Sequence, residues 1–356
     1  MDYTLLLIVV LLVVIGLVIL YSTSAYNGQV KFHDSFYYLK KQAFATVLGI
    51  VLMLFVAGMD YHIWQRLAVF GYLAAVALSV AVMLFGREIN GSKRWLALGP
   101  FSFQPSEFAK VALILFLADL VTKNVKTIGK MWTLCRIMFW ILPIVGLVGA
   151  SNLSTAIIIL GIGVILIFVA SPKYAQFALM GIAGACFMGI FLALESYRLE
   201  RLAIWRNPEK YEKGYQTLQG LYAIGSGGVF GVGIGNSVQK LGFVPEAQND
   251  MIFSIICEEL GLFGAICLIL LFILLIWRMM VIANNARDLY GSLLVIGVMS
   301  HIAIQVILNI AVVTNSLPNT GVILPFISYG GTSIIFLMAE IGLVLSVSRG
   351  IRLENV

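Results

Sequence analysis

Apolar runs of about 17 to 25 residues, each closed by a short polar break, recur along the whole chain; that is the length a helix needs to cross ~30 Å of hydrocarbon at about 1.5 Å per residue. Spans are predicted near 4–23, 42–59, 63–85, 105–121, 134–151, 153–170, 175–194, 251–277, 291–313 and 326–348. The runs lack the apolar–polar alternation of a barrel strand, and in hydrocarbon each backbone donor needs a partner within its own segment, so all are expected to be helices. The pattern predicts an all-α integral membrane protein: one polytopic domain over residues 1–356, about ten transmembrane helices, and one large extracytoplasmic loop at 195–250 before the eighth span. The fifth and sixth spans meet at Ala150-Ser151-Asn152-Leu153, which predicts a tight helical hairpin that either crosses fully or turns back early.

Composition agrees, with 61% hydrophobic residues, 11% charged and a mean hydropathy of +1.00. Thr4–Thr23 lacks a basic flank and a small-residue cleavage site, so it is expected to remain as the first span. The net charge of +6 is scattered over loops without a stripe, which fits membrane topology and argues against a nucleic-acid partner. Arg66, Lys123, Lys126, Lys130, Arg136, Lys173, Arg278, Arg287, Arg349 and Arg352 fall on one side of a ten-span chain, which makes that side and both termini cytoplasmic. Cys135, Cys186, Cys257 and Cys267 form no CxxC pair, and His33, His62 and His301 lack ligand spacing, so neither a disulfide framework nor a zinc site is suggested.

Three polar stretches carry the candidate chemistry. The loop at 195–250 is rich in aromatic residues, charges and glycines, and is expected to form amphipathic helices at the outer interface. Its Gly225–Gly228 and Gly231–Gly235 clusters lack the Lys-Ser/Thr of a phosphate loop and are read as backbone needing positive φ and close approach. Asp250 ends this loop directly before a span; the residue type suits either a helix cap or a catalytic base. Glu258 and Glu259, about 12 Å deeper, imply a polar cavity or a buried ion pair. The third stretch runs from Arg87 to Lys110, where Glu107 and Lys110 share a helix face and either pair or leave Lys110 to reach back to the interface. Basic groups here suit an anionic lipid head group such as a pyrophosphate.

Three long motifs, Gly91–Lys110 (GSKRWLALGPFSFQPSEFAK), Val244–Gly264 (VPEAQNDMIFSIICEELGLFG) and Leu317–Ser333 (LPNTGVILPFISYGGTS), resemble the SEDS family of shape, elongation, division and sporulation proteins, the FtsW/RodA/SpoVE group, in order and over nearly the whole chain. The Pro-Glu-Ala-Gln and Asn-Thr-Gly versions look nearer the division and sporulation branch. The resemblance implies a peptidoglycan glycosyltransferase that polymerises lipid II at the outer face of the bacterial cytoplasmic membrane, beside a class B penicillin-binding protein. It makes Asp250 the essential loop aspartate and general base, places Glu107 and Lys110 in a central cavity, and puts Arg94, Glu246, Glu258 and Glu259 on motif positions that bind substrate or line that cavity. The leaving pyrophosphate is expected to meet Arg94, Lys110 and loop basics such as Arg198, Arg201 or Arg206, with a divalent cation, Mg2+ or Mn2+, as the alternative. Two departures stand out: Ser151-Asn152 where many relatives have Pro-Asp, and Gln248-Asn249 where several have His-Thr. The rival reading is a flippase or transporter of the lipid-linked precursor, which the intramembrane Glu258, Glu259 and Lys110 also suit; a scaffold that only recruits a crosslinking enzyme is the third.

Overall fold

The computed structural model describes residues 1–89, 92–98, 101–173, 175–178, 181 and 203–351. The expected seventh span lies largely outside the described residues, and Cys186, Arg198 and Arg201 lie wholly outside them. Among the described residues nine long helices form the bundle: α1 (Tyr3–Phe32), α2 (Tyr37–Gly58), α3 (Tyr61–Phe85), α4 (Pro105–Asn124), α5 (Met131–Ser151), α6 (Leu153–Ala170), α8 (Ile252–Asn284), α9 (Leu289–Val313) and α10 (Gly331–Arg349). Eight are long and apolar enough to cross a bilayer. The ninth, α4, is 20 residues long but carries Glu107, Lys110, Asp119 and Lys123. A shorter helix, α7 (Tyr215–Ser226), lies against α8.

Chain ends and helix ends fix the orientation. Asp2 accepts from Arg278 at 2.8 Å near the end of α8, and its backbone N–H donates to Ser348 Oγ at 3.1 Å near the end of α10. The start of α1 and the end of α10 therefore sit at one end of the bundle. Asp250, before the start of α8, sits at the other.

The structure departs from the expected boundaries where polar residues stay helical. α1 continues to Phe32, well past the predicted end, because Thr23 and Ser24 return their hydroxyls to the Ile19 and Leu20 carbonyls at 2.8 and 2.7 Å and so need no water. A small antiparallel sheet was not expected: β1 (Arg87–Ile89), β2 (Ser92–Leu98) and β3 (Phe101–Phe103), in that order between α3 and α4. Strands of three residues are too short to show alternation in a sequence. The hairpin of α5 and α6 turns on a single residue, Asn152, whose Oδ1 accepts from the Thr155 N–H at 3.2 Å and caps α6. Both of its helices are long and apolar enough to cross.

The glycine clusters repair a broken helix. α8 is interrupted at Gly261, with φ 69° and ψ −170°, which would leave backbone groups unpaired inside the membrane. The loop supplies the partners: Val232 and Gly233 donate to the Glu258 and Glu259 carbonyls at 2.9 and 3.0 Å, and Leu262 and Phe263 donate to those of Gly228 and Val229 at 2.9 and 3.0 Å. Gly231 must be glycine, since a Cβ there would stand 2.2 Å from the Glu259 carbonyl oxygen.

Candidate functional site

A cavity of about 500 Å³ opens at the end of the bundle away from Asp2 and Ser348. Five of the expected site residues line it: Arg94 from β2, Glu107 and Lys110 from the first turns of α4, and Glu246 and Asp250 from the loop before α8. Pro105 at the first position of α4 starts that helix and aims its first turns at the cavity. Glu107 and Lys110 form an ion pair at 2.9 Å; with the lysine side chain only 2% exposed, the alternative of a lysine reaching back to the interface falls away. Glu107 has the Ser333 hydroxyl beside it, and Gln305 Oε1 and Asn249 Oδ1 elsewhere on the wall are buried without a protein partner. A buried polar atom left unpaired is costly, so these are the positions where a hydroxyl-rich ligand gains most.

A second lobe of about 440 Å³ joins the first. It is lined by Trp205, Lys213, Gln216, Asn315 and Asn319, and shares Arg94, Asn152, Ser154, Asp250 and Gly321 with the first lobe. The shared wall is held from several sides. Arg94 Nε donates to the Ser151 carbonyl at 3.1 Å, Ser154 Oγ to the Thr320 carbonyl at 2.7 Å, and Asn309 Nδ2 to both the Asp250 and Val322 carbonyls at 2.8 and 2.7 Å. Tyr329 N–H donates to the Gln248 carbonyl at 2.9 Å, and Asn27 Nδ2 to Gln248 Oε1 at 3.2 Å.

Asp250 is half-buried and is not the side-chain cap of α8: Met251 holds the cap position and no side chain bonds there. Burial pushes its carboxyl up to about 7, helped by the nearby Glu246 charge and opposed by backbone hydrogen bonds and by Gln216. A carboxylate that titrates there is a competent base at neutral pH.

Glu258 and Glu259 do not reach this cavity. Glu258 accepts from Ser237 Oγ and from the Val238 N–H at 3.0 Å. Glu259 pairs with Lys240 at 2.6 Å and accepts from Ser22 Oγ at 2.7 Å and the Gly235 N–H at 3.1 Å. They tie the loop and α1 to the first part of α8: of the two readings, a polar cavity or a buried ion pair, Glu259 makes the ion pair, and neither acid lines the two lobes because the loop occupies their faces of α8. Arg206 is exposed and lines neither lobe. Among the described residues, no group of three or more His, Cys, Asp or Glu side chains is gathered to hold a metal ion.

Sequence reasoning missed Lys213, Gln216, Gln305 and Asn319 as wall residues, and also the buried pair of His301 Nδ1 and Glu340 Oε2 at 2.8 Å. Polar residues inside apolar runs were the available signal for Gln305, His301 and Glu340.

Comparison with known proteins places this arrangement among relatives. The sequence model of the FtsW/RodA/SpoVE family, described as cell cycle protein, matches residues 3–353. Stage V sporulation protein E of Bacillus subtilis is 40% identical over 98% of this chain and 97% of its own length. A probable peptidoglycan glycosyltransferase FtsW of Trichlorobacter lovleyi is 36% identical over 99% of this chain and 94% of its own. Among solved structures, one chain of a peptidoglycan synthase complex, described as coordinating polymerization and crosslinking, matches with a TM-score of 0.85 at 30% identity over 99% of both chains. The rod shape determining protein RodA of Thermus thermophilus matches with a TM-score of 0.73 at 28% identity, over 98% of this chain and 96% of its own.

Proposed function

The chain belongs to the FtsW/RodA/SpoVE family, and from that premise we propose that it is a peptidoglycan glycosyltransferase polymerising lipid II at the outer face of the bacterial cytoplasmic membrane, with both termini cytoplasmic and Asp250 as general base. The observation that carries the reading is the place of Asp250: it stands with Arg94 on the wall common to two cavity lobes, where one sugar in each lobe would meet. The Asp250 carboxylate takes the proton of the acceptor GlcNAc 4-hydroxyl as that oxygen bonds to C1 of the donor MurNAc. The bond from C1 to the pyrophosphate breaks, the bonding pair leaves on undecaprenyl pyrophosphate, and the anomeric centre inverts. Arg94, Lys110 and Lys213 are the described cations that line the two lobes and would meet the departing charge, and Glu107 holds Lys110 in place. A class B penicillin-binding protein is the proposed partner that crosslinks the strands.

General-base help contributes ~10²–10⁴-fold, so Asp250→Asn should lose at least that much polymerisation of labelled lipid II by the purified protein with its partner, at matched folding and complex yield. Equal glycan strands from parent and variant would remove the base assignment. Movement of lipid across vesicles without strands from either would favour a flippase, a reading that also needs polar access from both ends of the bundle. Untouched function in Asp250→Asn, with loss only when outer apolar faces are changed, would favour a scaffold.

A further inference from the structure

Asp250 is tied to a row of amides. Gln216, in the first turn of α7, donates from Nε2 to Asp250 Oδ1 at 3.4 Å and to the Pro245 carbonyl at 3.3 Å. Gln216 Oε1 accepts from Asn319 Nδ2 at 3.1 Å, and Asn319 Oδ1 accepts from the Gly321 N–H at 3.2 Å. The direction of this row is forced. The Gly321 N–H only donates, so Asn319 must turn its oxygen to it and its nitrogen to Gln216; Gln216 must then turn its oxygen to Asn319 and its nitrogen to two groups that only accept.

We infer that Gln216 and Asn319 are positioning residues for the transfer reaction: they hold Asp250 Oδ1 and leave Oδ2 turned to the junction of the two lobes, where the acceptor hydroxyl arrives. Oδ2 lies 3.8 Å from the point where a Cβ on Gly321 would stand, and Gly321 lines both lobes. The bond from Gln216 is long, so it guides the carboxylate more than it clamps it. It also favours the charged carboxylate, so it keeps the base ionised against the burial that opposes ionisation. The other charged or titratable groups facing the same cavity are Glu246 of its own loop, Arg94 of β2, Glu107 and Lys110 of α4, Lys213 before α7, and Tyr329. None is altered in the variants below. The inference rests on Asp250 being the base.

The test is the pH dependence of kcat for lipid II polymerisation by the full chain with its crosslinking partner, from about pH 5.5 to about 9. Gln216→Ala should move the acid limb alkaline by about half a pH unit, part of the value of a hydrogen bond to a charged group because this one is long, so the rate falls roughly threefold below pH 6 and little above pH 8. Gln216→Glu keeps the shape and can still accept from Asn319 but sets a like charge against Asp250, and should move the limb further. Asn319→Ala should move it the same way by less. A purely structural role would instead lower yield, or change KM or kcat by one factor at every pH. An unmoved limb in Gln216→Glu and Asn319→Ala, at parental folding, overturns the inference even if Gln216→Ala does not fold. Asp250→Asn assayed in parallel separates the two readings. If that variant polymerises normally, the base and the amide row both fall; if it is inactive and the limbs stay put, only the row falls.

Discussion

Replacing Glu259 by Gln removes a single charge from a site closed to water. The Lys240 and Glu259 side chains are 6% and 0% exposed, and besides Glu259 the Lys240 ammonium has Ser22 Oγ at 2.8 Å. The glutamine keeps an oxygen for Ser22 and the Gly235 N–H but leaves the ammonium buried without its counter-charge. Breaking one side of a buried pair costs about 3–5 kcal/mol, and the retained bonds put this variant near the lower figure. At about 2 °C per kcal/mol for a chain of this size, Tm in detergent should fall by about 6 °C. Lys240→Met should fall by a similar amount, and the double variant by less than the sum, with a coupling of about 2 kcal/mol. The kcat of the remaining folded protein should change less than about threefold, well below the loss of a catalytic base, because Glu259 and Lys240 line neither cavity lobe and Asp250 has its own ties through Asn309 and the Gln248–Tyr329 contact. A collapse of kcat at unchanged Tm would refute this reasoning and return Glu259 to the chemistry. An unchanged Tm and kcat together would show that the pair holds nothing.

Asp250 gives a signed pH prediction. Its pKa rises on folding from 3.8 to about 7, so the folded state binds that proton more tightly, and the contribution of this group to stability is lost as pH rises through about 7. Thermal melts should therefore show Asp250→Asn more stable than the parent at about pH 8, with the gap closing toward about pH 4, while polymerisation by the parent falls about tenfold per unit below pH 7. Lys110→Met should lose about 3 kcal/mol in the same melts by stranding Glu107. Adding Glu107→Gln should restore most of that stability without restoring lipid II polymerisation, which stays down about 10²-fold if Lys110 meets the pyrophosphate. Gly231→Ala should prevent folding, read as loss of monodisperse protein, because its Cβ would collide with backbone at 2.2 Å. Gly235→Ala, also at positive φ but facing open space, should cost only about 1 kcal/mol.

What could be read in the sequence was what local patterns encode. Hydrophobic run length placed the described spans, and i to i+3 spacing put Glu107 and Lys110 on one face, where they pair. The Asp250 loop and Arg94 came from motifs and do share a cavity. What could not be read depends on partners distant in the chain. Ser22 and Glu259 lie 237 residues apart, so nothing near Glu259 announces that its face of the helix is already taken. Gly261 looked like one more glycine in a span, since the loop that completes its hydrogen bonds is a separate stretch of sequence. The amides of Gln216 and Asn319 carry no charge to mark them and acquire direction only through each other.

The interruption of α8 divides that helix by what surrounds it. From Met251 to Glu259 every residue is buried, and the carboxylates there bind the loop and α1. Beyond Gly261 one side turns outward with Leu262, Phe263, Ile266, Leu270, Ile273 and Trp277 exposed. The other side of the lower shaft is packed on α1 and α9, its end is tied to Asp2 through Arg278, and the change of course at Gly261 is braced by four backbone bonds to the loop. The carboxylate ahead of the upper segment keeps its place. A change of lipid therefore meets the exposed flank of the shaft first, and reaches the reacting groups only through the braced interruption at Gly261.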